Sequence, residues 1–315
     1  MRVALALMFF GAVGCNGLFG VDDLRYDGST GPAASSGSAS GAGGVAVGSG
    51  GAGGAAGDGG WGGSGGDGPP TLVDRGLLLR YDFAEQPSGK PSTVVDHAPD
   101  PFTLPAFDAD QAGYVELATG RGLDFTTADP NARLLAAVPA KLTTPTTEAT
   151  LEVVVSLTQS GANGVRPRIF HVGPSNDTSA FLSLIFDHDT GGFASDVMNT
   201  SSSDSGHWLV GGALTERRIL HLVLDSAADD PDLRLRLFAE GVEVVGGAGS
   251  TQVQPVQQGL SLALSGEVVV ANWWSLSYAL PGTLYYLAYY GVALSPSELA
   301  ENTAVLQQSD DLTTP

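Results

Sequence analysis

Cysteine is almost missing from this chain: there is one, Cys15, in 315 residues. A lone thiol excludes an intrachain disulfide and any metal site built from several thiolates. Basic residues are also scarce, 14 against 34 acidic ones, for a net charge of −20. Without a lysine or arginine footprint the chain would repel phosphates, so nucleic acid is excluded as a partner. The acidity suits divalent cations and, more simply, colloidal solubility. Long apolar runs are lacking too. The longest, Val3 to Phe10, is well short of the roughly 20 residues that a membrane-spanning helix needs. No amphipathic helical pattern longer than about three turns is visible before Ser295.

What is plentiful is glycine, and the 44 glycines are clustered. Gly28 to Pro70 is a Gly/Ala/Ser tract with almost no large apolar side chains. Such a segment cannot bury enough surface to offset the entropy of ordering, so it is predicted to be a disordered tether. A Gly-rich coil of roughly 40 residues spans about 35 Å. Two patterns inside it are set aside. Gly48-Ser49-Gly50-Gly51-Ala52-Gly53 fits a dinucleotide-binding turn, and Gly62-Gly63-Ser64-Gly65-Gly66 fits a nucleophile elbow. Neither follows a strand nor opens a helix, and the composition alone produces both.

Ahead of the tether, Met1-Arg2 is a short positive region, Val3 to Phe10 is apolar, and Ala12-Val13-Gly14 puts small residues directly before Cys15. The arrangement resembles the lipobox of bacterial lipoproteins, with Ala12 where leucine is commonest. The resemblance implies a signal peptide over residues 1–14 and a lipidated Cys15. Acyl chains at about 0.8 kcal/mol per buried methylene would then anchor the protein, the lipid being its only contact with the membrane. Asn16 is not the aspartate associated with inner-membrane retention, which favours the outer membrane or cell surface. The expected organisation is a signal peptide at 1–14, a lipidated tether at 15–70, a folded domain at 71–308 and a tail at 309–315.

From Leu72 onward, short alternating runs separated by turn residues read as an all-β sandwich. Leu77, Leu79, Tyr81 and Phe83 share one face of a first strand. Leu151, Val153, Val155 and Leu157 do the same in a second. Further strands are predicted at 122–125, 168–172, 181–186, 218–224, 232–238, 242–245, 260–264 and 268–272, with a tight turn at Glu240-Gly241. Thr283 to Tyr290 is aromatic on both faces and therefore reads as an interior strand with partners on both sides. Gly291 ends it. Ser295-Pro296-Ser297-Glu298 then has the form of a capping box, with Leu294 placed to staple onto Leu299.

These pieces, taken in order, resemble the laminin-G-like and concanavalin A-like jelly-roll domains. Leu78 to Phe83 is similar to the family's opening strand, Gly122-Leu123-Asp124-Phe125 to its Ala-Leu-Arg-Phe-Asp step, and Thr150 to Val155 to its central Thr-Val-Glu-Ala-Trp-Val strand. Arg168 to Gly173 looks like the partner strand, Leu235 to Val242 like the Leu-Tyr-Val-Asp-Gly hairpin, and Gly282 to Ser295 like the closing strand and turn. The resemblance covers roughly residues 72–308 and implies two facing antiparallel sheets. Around 235 residues is enough for a single large core. Where the family commonly carries an Asp-Glu pair, this chain has Tyr285 and Tyr286.

Catalytic patterns are thin. The glycosidases of this fold carry Glu-x-Asp-x-x-Glu on one strand face, whereas Glu152 is followed by three valines. No histidine pair sits at metal-binding spacing. Calcium is the one cofactor considered, held at a sheet rim by Asp187 with Asp189, or by Asp225 with Asp229, Asp230 and Asp232; Met198 occupies the position where an EF-hand loop needs glutamate. Aromatic rings that could stack on a sugar face are Trp274 and Tyr278, with Trp208 as a further candidate; strand alternation turns one of Trp273 and Trp274 inward. The expectation is a non-enzymatic envelope lipoprotein that binds a glycan or an extracellular or envelope protein. The alternatives are a structural or assembly module of the envelope without a small ligand and, third, a glycoside hydrolase.

Overall fold

The computed structural model of the protein describes residues 71–84, 88–107, 112–117, 120–126, 128, 130–158, 166–174, 181–187, 190–198, 206–245, 255–272 and 279–308. Cys15, the signal segment, the tether and the 309–315 tail lie outside these residues. In chain order the strands are β1 (Leu77–Asp82), β2 (Thr93–Val94), β3 (Leu104–Phe107), β4 (Gly113–Leu117), β5 (Gly120–Asp124) and β6 (Arg133–Ala137). They continue as β7 (Glu148–Leu157), β8 (Arg168–Gly173), β9 (Phe181–Asp187), β10 (Gly192–Met198), β11 (Gly206–Trp208) and β12 (Arg218–Asp225). The last four are β13 (Leu235–Ala239), β14 (Val242–Glu243), β15 (Glu267–Val270) and β16 (Gly282–Tyr290), followed by the helix α1 (Pro296–Gln308).

The strands form two antiparallel sheets of eight, an all-β sandwich of jelly-roll type. The first runs β14-β13-β12-β7-β16-β5-β4, with β1 also paired to β16. The second runs β11-β10-β9-β8-β15-β6-β3-β2. Period-two alternation sends Leu151, Val153, Val155 and Leu157 of β7 between the sheets, where they meet Phe170, Leu182, Leu184 and Val270 of the second sheet.

All nine residues of β16 are buried. One edge pairs with β7 along the strand's length; the other pairs with β1 over Tyr286–Tyr290 and with β5 over Thr283–Leu284. A register irregularity between Leu284 and Tyr286 breaks the alternation. Leu284, Leu287 and Tyr289 consequently enter the core between the sheets, while Tyr285, Tyr286, Ala288 and Tyr290 join a second apolar cluster on the outer face. A matching irregularity between Leu77 and Leu79 corrects the expected β1 face: Leu79 and Tyr81 are core, and Leu77 packs on the outer cluster.

Helix α1 covers that outer cluster with Leu299 and Leu306, and its start has the expected local chemistry. Ser295 Oγ accepts from the Glu298 amide at 3.3 Å, and Glu298 Oε2 accepts from the Ser295 amide at 2.7 Å. Leu294 and Leu299 are both buried in the same cluster. Arg75 grips the Glu298 carboxylate with Nε and Nη2, each at 2.8 Å.

Beneath α1 lies a polar knot with no exposure. Glu152 Oε2 accepts from His221 Nε2 at 2.9 Å and from Asn302 Nδ2 at 2.8 Å, and Tyr290 Oη donates to Glu152 Oε1 at 3.4 Å. Asn302 Oδ1 in turn accepts the Val73 amide at 2.8 Å, tying the chain just ahead of β1 to the helix.

Several strand expectations shift. Residues 260–264 alternate buried and exposed as predicted but form only one bridge, Leu262 to Thr146, because the segment lies against the core edge without a ladder partner. Asp230 caps a 3₁₀ turn at Pro231–Leu233, so the predicted strand there begins only at Leu235. Glu240 and Gly241, with φ of 52° and 75°, make the predicted hairpin turn.

Two stability measurements check this account. Removing the Glu152 carboxylate by Glu152→Ala should lower unfolding free energy by about 3–5 kcal/mol in urea titration, because His221 and Asn302 lose their partner in a dry site. Glu298 is held near a pKa of about 2, first by the hydrogen bond from Arg75 and against an opposing desolvation. A depressed carboxylate stabilises the fold above its unfolded value, and that gain fades as pH falls toward 2. The melting advantage of the native chain over Glu298→Gln should therefore be full at pH 6 and gone by about pH 2.

Candidate functional site: a hydroxyl-lined groove

The outer apolar cluster reaches Tyr285 and stops there. Toward the Gly282 end of β16, the same face of the first sheet turns polar, with Ser156 9% and Thr283 3% exposed. A groove of about 260 Å³ runs there over the ends of β5, β16 and β7. Its hydroxyls come from Ser156, Thr158, Thr215 and Thr283, and its apolar wall from Leu117. Asp124 and Thr126 close one side.

Strand register puts these side chains together. Thr283 of β16 is opposite Ser156 of β7 on one edge and Asp124 of β5 on the other. Glycine lets the backbones approach: a Cβ on Gly282 would lie 2.1 Å from the Ser156 carbonyl oxygen. Asp124 Oδ1 accepts from the Thr126 amide at 3.2 Å, from Thr126 Oγ1 at 2.7 Å and from Thr283 Oγ1 at 3.0 Å. Ser156 Oγ and Tyr285 Oη are 3.0 Å apart. The Arg217 guanidinium sits over the Tyr285 ring, 5.4 Å from its centroid, and does not line the groove. The result is a shallow, pre-positioned set of donors and acceptors beside the exposed Leu117. That chemistry suits a ligand with many hydroxyls and some apolar surface.

The residues singled out from sequence lie elsewhere. Trp208 is a correction: it is 6% exposed and belongs to the core between the sheets. Its ring lies over Gly206, where an added Cβ would be 2.2 Å from Trp208 Cη2, so it has no free face for a sugar. Trp273, Trp274, Tyr278 and Asp189 fall outside the described residues. Asp187 ends β9 with its carboxylate 3.4 Å from His207 Nε2 and 4.0 Å from Arg166 Nε.

The loop of Asp225, Asp229, Asp230 and Asp232 does not converge as the calcium expectation required. Asp225 and Asp230 cap the amides of Ala227 and Asp232, and Asp229 accepts from Gln258 Nε2. Arg234 donates to the carbonyls of Ala228, Asp229 and Val256 in and beside this loop. Among the described residues, no three His, Cys, Asp or Glu side chains gather around a common point.

Two features escaped sequence reasoning. One is the groove, whose Ser and Thr residues carry no pattern. The other is a buried polar stripe across β8, β9 and β10, where His171 Nδ1 is 2.7 Å from Ser183 Oγ and Arg168 Nη2 is 3.1 Å from Asp196 Oδ2. Burial, aided by Arg168, lowers the His171 pKa to about 3, so the ring is neutral at ordinary pH.

No protein-family model and no curated protein sequence matches the chain. Solved structures do. The binding domain of botulinum neurotoxin serotype D/C (VPI 5993) is 6% identical with a TM-score of 0.51, over 74% of this chain and 53% of that one. The binding domain of botulinum neurotoxin DC in complex with SialylT is 7% identical with a TM-score of 0.50, over 75% and 52%. Trypanosoma rangeli sialidase in complex with the inhibitor DANA is 13% identical with a TM-score of 0.47, over 72% and 32%. This chain thus spans about half of each toxin domain and about a third of the sialidase. At such identities the toxin domains show a shared sandwich fold and nothing finer.

The placement of Trp208 is open to measurement. Trp208→Ala should cost about 3–5 kcal/mol in denaturant unfolding, as for an aromatic removed from a core, whereas an exposed ring would cost under about 0.5 kcal/mol.

Proposed function

We propose that the protein is a lipid-anchored envelope protein whose sandwich, of laminin-G-like kind, binds glycans without catalysis. The observation that carries the reading is the groove over β5, β16 and β7. Its hydroxyls, carboxylate and the exposed Leu117 suit the mixed polar and apolar surface of a pyranose. The sandwich fold is compatible with such a role, since one of the toxin domains sharing it was solved with SialylT bound. Lipidation at Cys15 and the Gly-rich tether rest on sequence, and they would hold the domain clear of the outer membrane or cell surface. Among the described residues no helix is long and apolar enough to cross a membrane. No calcium ion enters this binding scheme.

A second reading has its own support. Edge strand β14 leaves Val242 69% exposed and nearby Val245 84% exposed. Such an edge suits strand addition by another envelope protein, the assembly role.

A glycan array probed with the full chain separates the two. The first reading expects a saturable signal, and uniform silence would overturn it in favour of assembly. On a glycan that binds, Thr283→Val should weaken Kd by about three- to tenfold, the loss of one neutral hydrogen bond or slightly more. Trp274→Ala should leave binding unchanged if the groove is the site; the reverse pattern would move the site to the aromatic segment.

A further inference from the structure

The groove has a charge character that narrows its ligand. Among the described residues its single ionisable side chain is Asp124, and no described lysine, arginine or histidine lines it. Asp124 Oδ1 is saturated by three donors from Thr126 and Thr283, which fix the carboxylate in one orientation. Its other oxygen takes no hydrogen bond from the described residues, and the side chain is only partly buried. Two arginines close in sequence to the lining residues are engaged. Arg121 is on the opposite face of β5 by alternation and pairs with Glu116 at 3.6 Å, and Arg217 is stacked on Tyr285. A net charge of −20 adds a repulsive field at longer range.

We infer that the groove takes neutral or amino sugars and rejects anionic ones, with Asp124 as the residue that sets this choice. Its free oxygen accepts an O–H from a neutral pyranose or an N–H from a protonated amino sugar. A carboxylate or sulfate on the ligand would meet that oxygen with no cation to offset it. Like charges brought together at an interface are strongly disfavoured, and partial exposure keeps the ammonium gain modest. The inference rests on the glycan reading above and specifies its ligand class. It also separates this chain from the sialylated ligand named for the toxin domain of the same fold.

The test is an array carrying neutral, amino and acidic glycans, probed with the full chain and followed by titration of matched pairs that differ only in charge. Neutral glycans should bind, their ammonium counterparts about fivefold more tightly, and their sialylated or uronic counterparts at least about tenfold more weakly. Asp124→Asn keeps the acceptor oxygen and removes the charge. It should abolish the ammonium gain and bring acidic glycans close to neutral ones, with an unchanged melting temperature showing that the site is intact. If Asp124→Asn unfolds, raising the salt concentration on the native chain reads the same charge, and the ammonium gain should fade as ionic strength rises. Saturable binding of acidic glycans equal to that of their neutral partners would overturn the inference while leaving the glycan reading standing. A native charge preference in a folded Asp124→Asn variant would also overturn it. Silence across the whole array would overturn both.

Discussion

The structure depends on one strand that is apolar on both faces. β16 must be covered twice, because any exposed face would leave buried-type aromatics in water. The second sheet covers the face that carries Leu284, Leu287 and Tyr289, and α1 covers the other through Leu299 and Leu306. The irregularity beside Tyr285 serves this double burial by putting two consecutive tyrosines on the helix side. Position and specificity of the helix then come from polar groups. Glu152 occupies the centre of the covered face, where it is tolerable only if fully bonded, and Asn302 of the helix is one of the groups that bonds it. Sliding α1 by a turn would strand the carboxylate, so the knot fixes where the helix sits.

The place of the groove follows from where that cover ends. Toward Gly282 the outer face carries Thr283, Ser156 and Asp124, which are small and polar, and no residue of α1 lines the groove. Close backbone approach at Gly282 keeps the three strands tight enough for their short side chains to share one surface. A site made this way is shallow and rigid, held by strand register more than by loops. Rigid polar surfaces of that kind recognise ligands through many modest hydrogen bonds, so the fixed charge of Asp124 carries unusual weight in selecting among them.

Elements organised by local chemistry were legible in the chain. The capping box at Ser295 and Glu298, the aromatic run of β16, the alternation of β7 and the turn at Glu240-Gly241 each have short-range causes. β10 and β11 were not legible, because Gly-Phe-Ala-Ser-Asp-Val-Met lacks apolar alternation and depends on β9 for its pairing. Residues 260–264 show the opposite failure. Alternation reports burial of one side, and burial does not require a ladder partner. Trp208 looked like a ligand platform only because its neighbour Gly206, which makes room for the ring inside the core, gives no hint of that in one dimension.

The sequence by itself determined the sandwich class, the interior strand with its capped helix, the strong acidity, and the lipobox-like start. Tertiary structure alone decided that residues near 124, 156, 215 and 283 share a groove and that Arg234 donates to the carbonyls of the acidic loop. The reason is physical. Strand propensity and helix caps act over a few residues, whereas a site made of serine and threonine hydroxyls exists only after register and strand order bring distant segments within hydrogen-bonding reach.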